Sequence, residues 1–222
     1  MATLGLLVLD YDGTIVENHV DFYEAYCEAL MQCSGVTPGF EEFLELLKEN
    51  NLHERIPRNM DPEYFWRLFR RAYRSRHSNI RRGLREFLVL MKNLNVKITV
   101  ISGRETPPTY IEWDLRRHGL QDYVDGVYTS YVLGVIGERE NFLFDKSPLI
   151  EFAKRMHGVN GEIVCIGDYI TDFHSCRKVG GIFIGISNIP GRSKELERAG
   201  VLYFARDFYE VLVHLHTLNL LN

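Results

Sequence analysis

Apolar residues fall along this chain in two different periods. Gly5-Leu6-Leu7-Val8-Leu9 is an unbroken apolar run, the pattern of a strand buried on both faces. It stops at Asp10-Tyr11-Asp12-Gly13-Thr14, where Gly13 suits the positive φ of a sharp turn. The period then becomes helical. Phe22, Ala25, Tyr26, Ala29 and Leu30 recur at three and four residues, with Gly35 placed to close the helix. A second helix fits Phe40 to Asn50, with Phe43, Leu44, Leu46 and Leu47 inward. Asp61-Pro62 joins an N-cap to a proline at the first helical position, and predicts a third helix reaching about His77. A fourth fits Arg82 to Leu94.

Beyond it strands and helices alternate. Strands are predicted at Lys97–Ser102, Val124–Thr129, Glu162–Gly167, Ile182–Ile186 and Leu202–Phe204. Helices are predicted at Pro107–His118, at Pro148–His157 with Ser147 as N-cap, and at Thr171–Val179. Asp207-x-x-Glu210 is a capping box that opens a final helix. Residues 131–145 read as two β-rich pieces, a hairpin. Strands separated by helices of this length mean crossover connections, hence an α/β fold with a mostly parallel sheet. The helical block at 16–80 interrupts it after the first strand. The division expected is a core of 1–15 and 81–222 and a small α-helical domain of 16–80.

Composition narrows the classes. With 45% hydrophobic residues in 222, the chain has material for a sizeable core, which excludes a disordered or fibrous protein. No apolar run approaches a membrane span, and the apolar start lacks the cationic region of a signal peptide. Cys27, Cys33, Cys165 and Cys176 form no C-x-x-C pair, so reduced thiols and a cytoplasmic location are expected. A net charge of −4 gives no global attraction to nucleic acid or to an anionic membrane, and neither is expected as a partner.

The placement of charge says more. In an open α/β sheet ligands bind beyond the carboxyl ends of the strands. Asp10 and Asp12 end the first strand, Ser102-Gly103 the second, and Asp168 a later one; Asp172 follows four residues on, and Lys146 precedes a helix. Any one of these suits a helix cap or turn. Together they place several carboxylates at one point, which repel unless a cation holds them, and oxygen ligands beside phosphate suit Mg²⁺. A carboxylate screened by Mg²⁺ and a lysine can attack phosphorus, and a second one two residues away can carry the proton. Ser102 Oγ, the Gly103 N–H and the following helix N-terminus form an anion cradle. The constellation points to phosphoryl transfer.

These residues resemble the four motifs of the haloacid dehalogenase superfamily, on its phosphatase side. Asp10-Tyr11-Asp12-Gly13-Thr14 is similar to D-x-D-G-T, and Val100-Ile101-Ser102 to an apolar strand ending in Ser or Thr. Lys146 corresponds to the third-motif lysine, and Gly167-Asp168-Tyr169-Ile170-Thr171-Asp172 to G-D-x-x-x-D. The order agrees across essentially the whole chain. The resemblance implies a Rossmann-like three-layer α/β/α core with a helical cap between the first two motifs. It implies that Asp10 is the nucleophile that becomes an aspartyl-phosphate, and that Asp12 protonates the leaving group and then deprotonates water. It implies Mg²⁺ held by Asp10, the Asp12 carbonyl and Asp168, with Asp172 in support, and phosphate bound by Ser102, Gly103 and Lys146. Two departures stand near Lys146: Ser147 precedes Pro148, and the 131–145 segment is long.

The resulting expectation is a Mg²⁺-dependent phosphatase for a small phosphorylated metabolite, phosphoglycolate being the default for capped members. A sugar-phosphate mutase or phosphotransferase shares the core motifs. Dehalogenation is disfavoured because Asp12 is present, and phosphonate hydrolysis because the block's one lysine, Lys48, lies on an acid-rich helix. Gly185–Ser193 is off the P-loop pattern and reads as a turn into a helix. Arg67, Arg70, Arg71 and Arg74 read as a solvated helix face, with Arg76, Arg81, Arg82 and Arg85 following. A binding or regulatory protein that docks through this basic helix is the alternative of another class. His53, Arg55 and Arg58 are the candidates to reach from cap to core.

Overall fold

The computed structural model describes residues 3–33 and 36–221. Strand β1 is Leu4–Leu9, and a short β2, Val16–Glu17, follows the turn at Asp10–Thr14. Three helices come next: α1 His19–Cys33, α2 Phe40–Lys48 and α3 Pro62–Ala72, before β3 at Asn79–Ile80. The chain continues as α4 Leu84–Asn93, β4 Lys97–Ser102, α5 Thr109–Arg117, β5 Gly126–Thr129, α6 Tyr131–Ile136 and α7 Ser147–His157. It ends with β6 Glu162–Gly167, α8 Ile170–Lys178, β7 Ile182–Ile186, α9 Pro190–Arg198, β8 Tyr203–Ala205 and α10 Phe208–Thr217. Gly35, expected to close the first helix, lies outside the described residues.

Six strands form one parallel sheet in the order β5-β4-β1-β6-β7-β8. This is the doubly wound order, whose direction of winding reverses between β1 and β6. The pleat explains the three layers. Leu7 and Leu9 face one side with Leu84, Phe87 and Met91 of α4, Ile111 and Leu115 of α5, and Phe208 and Val211 of α10. Leu6 and Val8 face the other with Leu149, Ile150 and Ala153 of α7, Phe173 and Cys176 of α8, and Leu196 of α9. Each Leu, Ile, Val, Phe or Met among them contributes about 1.5–3 kcal/mol when fully buried.

The helical insert has its own core. Ala25, Tyr26, Phe43, Leu47, Phe65, Phe69 and Tyr73 pack together, joined by Ile189 from the α/β part. Antiparallel pairing of β2 with β3, Val16 opposite Ile80 and Glu17 opposite Asn79, brings the outgoing and returning chain together at the neck.

Three expectations change. The third helix stops at Ala72, not His77: Tyr73 turns extended, and the Arg76 and His77 amides donate instead to the buried Asp21 carboxylate of α1 at 3.0 Å. Residues 131–145 hold no hairpin. The apolar residues there, Val132, Leu133 and Ile136, pack on the second core layer as helix α6, and Gly137 ends it at φ 75°. The chain then winds round Asp145, which accepts from the Asn141 side chain at 2.7 Å and the Ser147 amide at 2.9 Å. Ser147 is accordingly the first residue of α7 and not its cap.

Just past the carboxyl end of β1, Asp114 of α5 is fully buried and accepts from the Tyr11 hydroxyl, from Ser78 Oγ at 2.7 Å and from Arg117. Truncation strands the Tyr11 hydroxyl, a cost of about 1–3 kcal/mol, and removes the bonds from Ser78 and Arg117, although Ser78 Oγ keeps Arg117 at 2.7 Å and His118 Nε2 at 3.1 Å. Asp114→Ala is therefore expected to lower stability by about 2–4 kcal/mol, read as a fall in the urea midpoint at constant slope. A loss under about 0.5 kcal/mol means that this network does not hold α5.

Candidate active site

The carboxyl ends of β1, β4 and β6 and the N-termini of α7 and α8 meet at the point where the strand order reverses. Asp10 leaves β1 and Asp168 leaves β6 on either side of it. The turn between β1 and β2 requires Gly13: at φ 79° its Cβ would lie 2.8 Å from Asp168 Cγ. Thr14 Oγ1 donates to Asp10 at 3.1 Å. Lys146 Nζ bridges, pairing with Asp10 and with Asp172 at 2.6 Å. The lysine is placed from below by its own amide, which donates to Ser175 Oγ of α8 at 2.9 Å. Asp172 also accepts from the Tyr169 amide at the start of α8.

Asp12 is clamped separately. Arg104 Nε and Nη2 reach its two oxygens at 2.8 and 2.5 Å, and Asn18 donates at 2.6 Å. Ser102 Oγ lies 3.4 Å from Asp12 and accepts from the Arg104 amide at 3.2 Å. Gly103 stands beside Lys146, where a Cβ would meet the lysine Cε at 3.8 Å. Asp168 pairs with Arg192 at the start of α9.

The fold gathers round one cavity the residues singled out in the sequence, Asp10, Asp12, Ser102, Gly103, Lys146, Asp168 and Asp172. Of the three candidates from the insert, His53 lines that cavity; Arg55 pairs with Glu42 and is half exposed, and Arg58 is exposed outside it. Sequence reasoning missed Arg104, Arg192 and Arg70. Arg104 was within reach, since it follows Ser102-Gly103 at the same strand end. Arg192 lies within Gly185–Ser193, which the sequence marked only as a turn into a helix. Arg70 is the larger correction: the residue expected on a solvated face is 1% exposed. Its Nε donates to the Gly103 carbonyl at 2.5 Å and its Nη atoms to both oxygens of Glu140 at 3.0 and 2.7 Å. Arg81, read as part of the same basic stretch, is also buried and donates to the Gly13 and Thr14 carbonyls at the turn.

Charge in this cluster does not balance. Asp10, Asp12, Asp168 and Asp172 stand against Lys146, Arg104 and Arg192. Burial raises the Asp10 carboxyl well above the usual carboxylate range; Lys146 pulls it down, and Asp172, Asp168 and Asp12 push it up again. Asp168 is likewise raised by burial, against the pull of Arg192. Burial opposes the charge of Lys146, but Asp10 and Asp172 outweigh it and hold the ammonium protonated. Oxygens of Asp10, Asp168 and Asp172 lie within 4.8 Å of one another, a hard donor set that fits a small divalent cation.

A doubly wound sheet with paired aspartates at its switch point defines a class, and the sequence agrees. The chain belongs to the haloacid dehalogenase-like hydrolases, matching that family over residues 4–180. No curated protein matches it. Its structure is similar to that of a predicted phosphatase from Clostridium acetobutylicum, at 17% identity and a TM-score of 0.70, covering 95% of this chain and 97% of that one. A predicted phosphoglycolate phosphatase from Haemophilus somnus aligns at 17% identity and a TM-score of 0.68, covering 96% and 98%. CbbY from Rhodobacter sphaeroides, solved with xylulose-(1,5)bisphosphate, aligns at 16% and 0.64, covering 93% and 95%. These likenesses establish the shared fold. Among the described residues no helix is long and apolar enough to cross a membrane.

Among the described residues Lys146 is the cation paired with both Asp10 and Asp172, so removing it exposes the charge imbalance directly. Lys146→Met is expected to destabilise the metal-free protein by about 3–5 kcal/mol, measured by denaturant unfolding in chelator. An unchanged midpoint would show that the pair is not what holds Asp10 and Asp172.

Proposed function

We propose that the protein is a Mg²⁺-dependent phosphatase that hydrolyses a phosphomonoester through an aspartyl-phosphate on Asp10. The observation that carries this reading is the pairing of Asp10 with Lys146 at the strand-order switch, with Asp12 two residues on. The phosphatase descriptions of the similar structures support it.

In this reading Asp10, Asp168 and the Asp12 carbonyl hold Mg²⁺, with Asp172 supporting them. When bound, the metal neutralises the surplus carboxylate charge and that of the phosphate oxygens. Lys146, Ser102 and the Gly103 amide bind the phosphoryl group, and Lys146 keeps Asp10 oriented. The Asp10 carboxylate attacks phosphorus; the bond from phosphorus to the ester oxygen breaks, and Asp12 gives that oxygen its proton. Asp12 then takes a proton from water, which attacks the aspartyl-phosphate and returns Asp10. For this Asp12 must be released by Arg104, and an incoming phosphate dianion gives the guanidinium another partner. The insert of α1–α3 acts as a cap, admitting substrate when open and excluding water when closed.

Phosphate release from phosphomonoesters is expected to need Mg²⁺ and to fall at least about 10³-fold in Asp10→Asn. Full activity in that variant rules out the covalent route. Mg²⁺ is also expected to raise the melting temperature, by an amount equivalent to about 2.7 kcal/mol at a hundredfold excess over Kd. Asp168→Ala is expected to remove that rise, and a rise that survives the substitution places the metal elsewhere.

A further inference from the structure

The cavity is built for more than a phosphoryl group. Its volume is about 410 Å³, within the range of roughly 300–1,000 Å³ that drug-sized ligands fill. A two-carbon acid such as glycolate leaves most of that space unused. Much of its lining is aromatic: Phe22, Trp66, Phe69 and Tyr73 from the insert, Phe144 and Tyr169 from the core. Five of these rings touch in a chain, mostly edge to face. Phe22 and Phe69 have centroids 4.9 Å apart, Phe69 and Tyr73 5.1 Å, Trp66 and Phe69 5.4 Å, and Trp66 and Phe144 6.3 Å.

Phe144 shows that this face is more than leftover core. It sits at φ 65°, a backbone region that bulky residues avoid, two positions before Lys146. Its ring is pressed against Gly103, where a Cβ would come within 2.8 Å of Cδ1, and the Arg70 guanidinium lies over it at 4.8 Å. The chain thus accepts a strained conformation that holds a ring beside the phosphate cradle. Separately, Tyr73 Oη, Arg104 Nη1 and Arg192 Nε are buried without a hydrogen-bond partner, and all three residues line this cavity. A buried donor left unpaired is costly, so three of them in a wall of rings call for acceptor atoms on a ligand.

We propose that the substrate is a phosphomonoester of an alcohol bearing an aromatic or heteroaromatic ring, which lies on the face of Trp66, Phe144 and Phe69. Its acceptor atoms meet Tyr73, Arg104 and Arg192. This rests on the phosphatase reading and narrows it from small metabolites in general to ring-bearing esters.

The test is phosphate release by the full chain with Mg²⁺ from pyridoxal 5′-phosphate, riboflavin 5′-phosphate and adenosine 5′-monophosphate, against 2-phosphoglycolate and glycerol 3-phosphate. The best ring-bearing ester is expected to exceed both aliphatic ones in kcat/KM by at least about tenfold, the scale set by pocket contacts. Trp66→Ala, and independently Phe144→Leu, are expected to cut that ratio at least about tenfold, mainly through KM for the ring-bearing ester. In Trp113→Phe protein, where Trp66 is the remaining tryptophan, riboflavin is expected to quench the fluorescence and glycerol is not. Equal or better use of the aliphatic esters, or ratios unmoved in both variants, overturns this inference while the phosphatase reading stands. No phosphate release from any ester overturns both.

Discussion

One ammonium group organises the centre of this molecule. Lys146 lies between Asp10 and Asp172, all three buried, and joins the end of β1 to the first turn of α8. Without a cation there, two carboxylates in a low-dielectric setting would repel, and the end of the sheet would not close. Arg104 on Asp12 and Arg192 on Asp168 extend the same solution to the other acids. Four carboxylates against three cations leave one surplus negative charge. A divalent cation turns that into one surplus positive charge, a setting that suits a phosphate dianion. The Asp10 carboxyl is raised first by its burial, against the pull of Lys146, and the neighbouring acids add to the rise.

That the acids meet at all comes from strand order. β1 is central, flanked by β4 and β6, and both neighbours run parallel to it. Parallel strands end on the same side, so the loops after β1, β4 and β6 open towards one another. The residues that terminate those strands are polar because the chain leaves the apolar layer there. Chemistry at this edge is therefore a consequence of topology, and the identity of each terminating residue supplies the function.

This is why so much of the site was legible in the sequence. Runs such as Leu6–Leu9 and Val164–Ile166 fix where strands end, and Asp10, Ser102 and Asp168 stand where the runs stop. The helix at Tyr131–Ile136 was not legible, because Tyr, Val and Ile favour strands locally; burial of Val132, Leu133 and Ile136 on one side overrides that preference. Arg70 was hidden for a different reason. It shares the polar side of α3 with exposed arginines, and only partners far along the chain, Gly103 and Glu140, distinguish it. A helical period reports which face meets its own core, not which polar residue meets another domain. Phe144 could not be read either, since its role depends on a backbone angle that no residue pattern near it announces.

Arg70 also ties the position of the insert to the loop after β4. Its hydrogen bond to the Gly103 carbonyl fixes the peptide that precedes Arg104, whose own amide donates to Ser102 Oγ. The same guanidinium lies over Phe144 and pairs with Glu140 in the loop leading to Lys146. If the insert swings away at the neck formed by β2 and β3, water can hydrate Arg70 and Glu140, so the ionic contacts add little barrier. The loop after β4, however, loses the group that orients its Gly103–Arg104 peptide. In the proposed mechanism closure and assembly of the phosphate site would then be one event, and the site would be complete only in the state that excludes water from an aspartyl-phosphate.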